Sequence, residues 1–233
     1  MSANSTFQPR SASNHIVIAI SILLGAALLL PATDPAPNLP KLLKDIEGHY
    51  NGAVTLQLTF SEIYTFQGRP RTPERGDLFL RKPGRMRWQY TKPAGKLLVS
   101  DGKDIFYYNS ESNRAERMRV KDADDMRAPL AFLVGRLDFN RDFREYRTRQ
   151  EGAKIWVTCI PKSDKLPYAE VAFLTSGGGR IDHVRVVNQD RSVIDFDFSG
   201  EVVNPQIADR MFHFQIPAGA EYIDNTAGAK GER

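Results

Sequence analysis

Along most of the chain, apolar and polar positions alternate with a period of two. Val54, Leu56, Leu58 and Phe60 are interleaved with Thr55, Gln57 and Thr59, as in a strand with one face buried. The alternation returns in Gly76 to Lys82, and again in Arg85 to Tyr90, where Met86, Trp88 and Tyr90 share a face. Lys96 to Ser100 and Ile105 to Asn109 flank Asp101-Gly102-Lys103, and Asp-Gly between apolar runs predicts a hairpin. Ala115 to Val120 continues the meander. Lys154 to Ile160, Ala169 to Leu174, Ile181 to Val187 and Val193 to Phe198 are further short strands, separated by polar or glycine-rich turns. Strands recurring at roughly ten-residue spacing predict an antiparallel sandwich or barrel.

A helical period interrupts this pattern in a few places. Leu39, Leu42, Leu43, Ile46 and Tyr50 predict a helix over Leu39 to Ala53, with Pro40 in the tolerant first turn and Gly52 as its stop. Pro129 to Phe139 (PLAFLVGRLDF) predicts a short apolar helix, and Ala208 to Met211 a single helical turn. Ile16 to Leu30 is an uncharged apolar run behind a polar stretch. It reads as the core of an export signal and is short for a spanning helix, which needs about 20 apolar residues. Residues 1–37 are therefore expected to be a signal peptide or N-terminal anchor plus a Pro-rich linker, and residues 225–233 a disordered tail.

Composition narrows the chemistry. With 41% hydrophobic residues and a net charge of +4 over 233 residues, the chain has material for a core and is too weakly basic for nucleic acid to be the default partner. Export argues against nucleic acid as well. The lone Cys159 excludes an intrachain disulfide and sits with Val157 and Ile155 on an apolar face. The four histidines lie too far apart for a local metal motif. Gly177-Gly178-Gly179-Arg180 lacks the following Lys-Ser/Thr of a phosphate loop and reads as a hairpin turn. Asp195 and Asp197 read as the solvated face of a strand. His183 and His213 read as packed or surface residues. No cofactor, metal or catalytic group is expected, and the protein is not expected to be an enzyme.

Two basic clusters, Arg81 to Arg87 and Arg136 to Arg149, are either a solvated sheet face or a surface for anionic lipid or a partner protein. Several strands are apolar on both faces: Phe79 opposes Leu78 and Leu80, Phe106 and Tyr108 oppose Ile105 and Tyr107, and Trp156 opposes Ile155 and Val157. Such strands need cover on both sides.

Several stretches together resemble the periplasmic outer-membrane lipoprotein carrier family (LolA and its relatives). They are Leu58-Thr59-Phe60-Ser61-Glu62, the run from Gly76 through Lys82-Pro83-Gly84 to Trp88, and Val99-Ser100-Asp101-Gly102-Lys103 with Phe106-Tyr107-Tyr108. Pro129-Leu130 with Leu133, and Phe212-His213-Phe214 with Pro217-Ala218-Gly219, complete the resemblance. It implies a mainly β fold with some α: an unclosed antiparallel half-barrel of about eleven strands, its concave face covered by helices, in a carrier domain spanning residues 38–224.

The implied function is that of a monomeric periplasmic carrier. It would take acyl chains of lipoproteins from an inner-membrane ABC transporter and pass the cargo to an outer-membrane receptor. The lipid-binding cavity is expected to be lined by Leu56, Leu58, Phe60, Leu78, Leu80, Met86, Trp88, Tyr90, Leu133 and Leu137. In the family an arginine before the proline latches a lid over the empty cavity. Here that position is Lys82, preceded by Arg81, so a differently built latch is expected, with Pro129 to Phe139 as the lid helix. Two alternatives stay open: a carrier of free lipid or glycolipid, and a lipid-binding regulatory sensor.

Overall fold

The structure is a computed structural model that describes residues 38–120 and 136–226. Among the described residues, thirteen strands form one sheet: β1 (Thr55–Phe66), β2 (Arg69–Pro70), β3 (Glu74–Arg81), β4 (Arg85–Lys92), β5 (Ala94–Asp101), β6 (Asp104–Asn109), β7 (Arg114–Arg119), β8 (Phe143–Glu151), β9 (Lys154–Pro161), β10 (Tyr168–Thr175), β11 (Ile181–Asn188), β12 (Val193–Val203) and β13 (Glu221–Asp224). The order is β13-β7-β6-β5-β4-β3-β1-β12-β11-β10-β9-β8, with β2 hanging on β1. The edges β13 and β8 do not meet, so the sheet is an unclosed half-barrel. Neighbours are antiparallel except β13, which runs parallel to β7.

One face is apolar across the central strands. Leu56 and Leu58 of β1 stand opposite Leu80 and Leu78 of β3, which stand opposite Met86 and Trp88 of β4. On the other side of β1, Phe60 faces Phe198 of β12. Val184, Val186, Phe173, Val157 and Cys159 carry the same buried surface towards the far edge. Gly76 makes the close packing possible, since a Cβ there would stand 2.2 Å from the Gln89 carbonyl and 2.8 Å from the Phe60 ring.

Helix α1 (Leu39–Gly52) lies over one end of this inner face, with Leu43, Ile46 and Tyr50 buried in the same cluster. Asn38 caps it by accepting the Lys41 amide. Its passage explains the glycine-rich turn between β10 and β11. Gly179 has φ +80, and a Cβ there would meet the Asp45 carbonyl of α1 at 2.3 Å. The turn that lacked a phosphate motif is thus a packing contact.

The outer face of β3 to β7 explains the two-sided strands. Val99 and Ala115 are fully buried on it, and Phe106 stacks on Phe214 at 5.3 Å. The cover is the chain's own C-terminal segment. Ile207 and Phe212 are buried, Arg81 donates to the Ile207 carbonyl and to Asp209, and Arg87 donates to the Met211 carbonyl. Much of the first basic cluster therefore clamps this segment. In the second, Arg141, Arg144, Arg147 and Arg149 pair with Asp142, Asp164, Glu145 and Glu151. Among the described residues, both clusters spend most of their charge within the chain, which leaves little unpaired charge in either of them for an anionic lipid.

Three expectations are corrected. The strand count is thirteen instead of eleven, and β2, β8 and β13 carried no alternation strong enough to announce them. In the helix expected over Pro129 to Phe139, residues 129–135 lie outside the described residues. Arg136 to Asp138 are not helical, and a four-residue helix, α2 (Phe139–Asp142), begins only at Phe139. Asp138 sets that start by capping, its side chain accepting the Arg141 amide at 2.9 Å. The turn expected at Ala208 to Met211 is a 3₁₀ turn at Asp209–Phe212.

Candidate functional site

The structure gathers the expected lining residues on one surface. Leu56, Leu58, Phe60, Leu78, Leu80, Met86, Trp88 and Leu137 are buried in a single apolar cluster, and Tyr90 packs against it. Leu133 lies outside the described residues. Four aromatic rings run across the strands: Phe60 lies 4.7 Å from Trp88 and 5.1 Å from Tyr90, and Phe196 lies 5.9 Å from Trp88. Their edge-to-face packing builds a broad apolar floor. A second aromatic group, Phe139 with Phe143, Tyr146 and Phe173, continues it under β8 to β10.

The α1 end of the floor is held by polar bonds. Tyr50 donates its hydroxyl to Glu201 at 3.0 Å and accepts the Ile181 amide at 2.9 Å. Burial, with Glu201 adding to it, raises the Tyr50 pKa and keeps the phenol neutral. His49 Nε2 meets the other Glu201 oxygen at 2.7 Å. Asn51 grips the backbone of Leu137 twice, donating to its carbonyl and accepting its amide, both at 2.8 Å. Glu47 accepts the Phe139 amide at 2.8 Å.

Lys82, expected as a latch, donates Nζ to the Tyr50 carbonyl at the last turn of α1, and burial lowers its pKa. Among the described residues Lys82 therefore reaches α1. Arg81 reaches the C-terminal segment on the opposite face. The two neighbours point to different faces because they alternate along the chain.

The other end of the floor carries polar residues that the motif reading passed over. Glu62 of β1, Glu74 of β3, Tyr90 of β4, Lys96 of β5 and Tyr107 of β6 sit near one another past the aromatic rings. Lys96 pairs with Glu74, its Nζ lies 5.8 Å from the Tyr90 ring centroid, and Tyr90 donates to Glu62 at 3.4 Å. Burial, reinforced by Glu74, pushes the Glu62 carboxyl up to about 7. Burial works against the Lys96 ammonium, but Glu74 outweighs it and raises its pKa. Beside them opens a cleft of about 320 Å³, lined by Glu62, Tyr64, Arg71, Thr72 and Glu74. Continuing the alternation Leu56, Leu58, Phe60 by one step places Glu62 inward, and that signal could have found it.

The residues weighed and set aside for chemistry lie elsewhere. His183 stands between Asp195 at 2.9 Å and Asp197 at 2.6 Å on the outer face. Trp156 packs edge-on at 5.2 Å. Cys159 is fully buried and burial pushes its thiol pKa far up, which makes it inert. No cluster of three or more His, Cys, Asp or Glu that could hold a metal ion occurs among the described residues. No helix among them is long and apolar enough to cross a membrane.

Known proteins resemble this chain over most of its length. Residues 53–215 match the family model described as outer membrane lipoprotein carrier protein LolA. An outer-membrane lipoprotein carrier protein of Nitrosomonas europaea is 26% identical over 192 residues, covering 81% of this chain and 92% of that protein. One from Aeromonas salmonicida is 26% identical over 208 residues, covering 87% and 97%. Among solved structures, an uncharacterised conserved protein from Thermus thermophilus superposes with a TM-score of 0.50 at 11% identity, covering 81% of this chain and 99% of that one. It is a likeness of fold.

Proposed function

The chain belongs to the outer membrane lipoprotein carrier protein LolA family, and on that premise we propose that it carries lipoproteins by holding their acyl chains on the inner face of the half-barrel. The observation that supports this reading is the continuous apolar floor from Leu56 and Leu80 through Phe60, Trp88 and Phe196. A floor of this kind suits an acyl chain, because each buried methylene is worth about 0.8 kcal/mol and needs no polar partner. Leu56, Leu58, Phe60, Leu78, Leu80, Met86, Trp88, Tyr90 and Leu137 are proposed to line it, together with Leu133.

The carrier is proposed to be non-catalytic, monomeric and periplasmic, with residues 1–37 serving as its export signal or anchor. It would receive cargo from an inner-membrane ABC transporter and deliver it to an outer-membrane receptor. Lys82 is proposed to act in release through its bond to the Tyr50 carbonyl: it pins the end of α1, the described helix that covers the floor. The lysine thereby serves the covering helix in place of the arginine fork that a lid would use.

The test is uptake of a fluorescent acyl probe. Trp88→Glu puts a charge on the floor and should lower probe affinity at least about 100-fold, since an unpaired buried carboxylate costs several kcal/mol. Far-ultraviolet circular dichroism checks that the strands persist, and Trp88→Ala, which removes the ring without adding charge, should lower affinity about tenfold. Undiminished uptake by both variants would move the site off this face. Acylated proteins should co-purify from the periplasm; recovery of free lipid alone would favour the free-lipid alternative.

A further inference from the structure

Beyond the polar rim of Glu62, Glu74, Tyr90, Lys96 and Tyr107, the central strand does not stop. β1 runs past its last pairing with β3, at Glu62 and Glu74, by about 13 Å of strand, and turns back as β2. Phe66 stands opposite Arg69 across this turn, with Gln67 at φ 50 and Gly68 at φ 73, the geometry of a two-residue hairpin. The alternation that sets Leu56, Leu58 and Phe60 inward carries the inner face out along the hairpin as Tyr64 and Phe66. At its tip Phe66 is 39% exposed.

Exposed cations surround that ring. Arg69 is its cross-strand partner, and Arg71 lies over the Tyr64 ring at 4.7 Å. Arg75 and Lys92 pair across β3 and β4 at the foot of the hairpin. Arg191 lies in the turn that leads into Val193, the partner of Thr65. All are exposed, and none makes an ion pair among the described residues. Of the carboxylates at this end of β1, β3, β4 and the β11–β12 turn, Glu74 is offset by Lys96. Only Glu62, which bonds to Tyr90, and Asp190, which accepts the Ser192 amide, remain against these cations. The lip is therefore basic, unlike the two clusters whose charge is spent inside the chain.

We propose that the β1–β2 hairpin docks the protein on a membrane surface rich in anionic phospholipid, with Phe66 entering the headgroup layer and Arg69, Arg75, Lys92 and Arg191 meeting the phosphates. The excess of unpaired cations selects a negative partner. The exposed ring raised on a two-stranded arm above them selects a soft one, because an apolar tip set among basic groups suits the boundary between headgroups and acyl chains. Docking needs no cargo and stands apart from the carrier reading. One consequence does rest on that reading: since the inner face continues onto the hairpin, a docked molecule turns the open end of its floor towards the bilayer.

The experiment attaches a bimane label to Gln67→Cys in the full chain and adds phosphatidylcholine vesicles with brominated acyl chains, with or without phosphatidylglycerol. Cys159 is fully buried and stays unlabelled. Vesicles with phosphatidylglycerol should quench the label at position 67 and leave one at Gln150→Cys, at the other end of the sheet, unquenched. The readout is local, so any binding through the apolar run Ile16 to Leu30 is common to both labels. Arg69→Gln with Arg191→Gln should raise the lipid concentration for half-quenching about 25-fold, since each basic residue near such a surface is worth about fivefold. Phe66→Ser should remove most of the quenching. Arg147→Gln with Arg149→Gln, whose cations are paired on β8, should change it less than about twofold. Acyl-probe uptake in solution should be unchanged in Arg69→Gln with Arg191→Gln, so failure of docking and failure of the carrier reading are separate results. Equal quenching at positions 67 and 150, quenching indifferent to phosphatidylglycerol, or no shift in the double variant overturns the docking. Absence of quenching overturns it as well and points the exposed cations to an acidic protein.

Discussion

The two wings of the sheet share one inner face and differ in what lies outside. Behind β3 to β7 the outer face is apolar: Val99 and Ala115 are fully buried there, and Phe106 is roofed by Phe214. Behind β9 to β12 it is ionic, with His183, Arg185, Asp195 and Asp197 interlocked at the surface. One wing thus carries an outer strap of its own chain, and the other turns its outer face to water. Two-sided apolarity in a strand marks where the chain will cover itself, and it changes within a single sheet.

The sharpest way to break this contrast is to open the strap. Phe212→Ala removes a ring that is 1% exposed and should cost about 3–5 kcal/mol in chemical unfolding. If the loss stays below about 1 kcal/mol, the strap is a passive cover. Next in size is Arg81→Met, which removes the donor to Ile207 and Asp209 and the cation over the Phe212 ring. Hydrogen bonds to a charged group are worth about 1.5–3 kcal/mol, so a loss near the lower figure is expected in the same unfolding measurement, because Asp209 is exposed.

A smaller effect belongs to the solvent-facing wing and depends on pH. Burial opposes the charged His183 ring, but Asp195 and Asp197 outweigh it and raise its pKa. A raised histidine stabilises the fold below its unfolded pKa of about 6.5, and that contribution fades as pH rises through the folded value. His183→Gln should therefore cost up to about 1 kcal/mol at pH 6, the scale of a partly exposed pair, and nearly nothing at pH 9. Smallest of all, Arg147→Ala on the edge strand β8 removes an exposed pair with Glu145 and should change stability by less than about 0.5 kcal/mol.

The inner face was largely legible in the sequence because its residues obey one local rule. Leu56, Leu58 and Phe60, or Met86, Trp88 and Tyr90, each announce themselves within a single strand. The strap was not legible, because Ile207, Phe212 and Phe214 lie in irregular chain whose register is set by distant partners such as Arg81 and Arg87. Strand β8 escaped for the opposite reason: at the sheet edge, its FREYRTRQE is mostly exposed and carries charges where alternation is sought. The rim is a third case. Glu62, Glu74, Tyr90, Lys96 and Tyr107 come from five strands, and only the registers bring them together.

The position of β1 has a consequence for how the molecule is made. It is the first long strand of the sheet, yet its two neighbours are β3 and β12, and Leu56 finds its partner Val203 far downstream. Until that late strand arrives, the middle of the sheet has an open side, and the strap behind β3 to β7 comes later still. Pairings of such long sequence separation are slow to close. A nascent chain therefore keeps its central strand unfinished until the residues of β12 have been synthesised, so the middle of the sheet closes late.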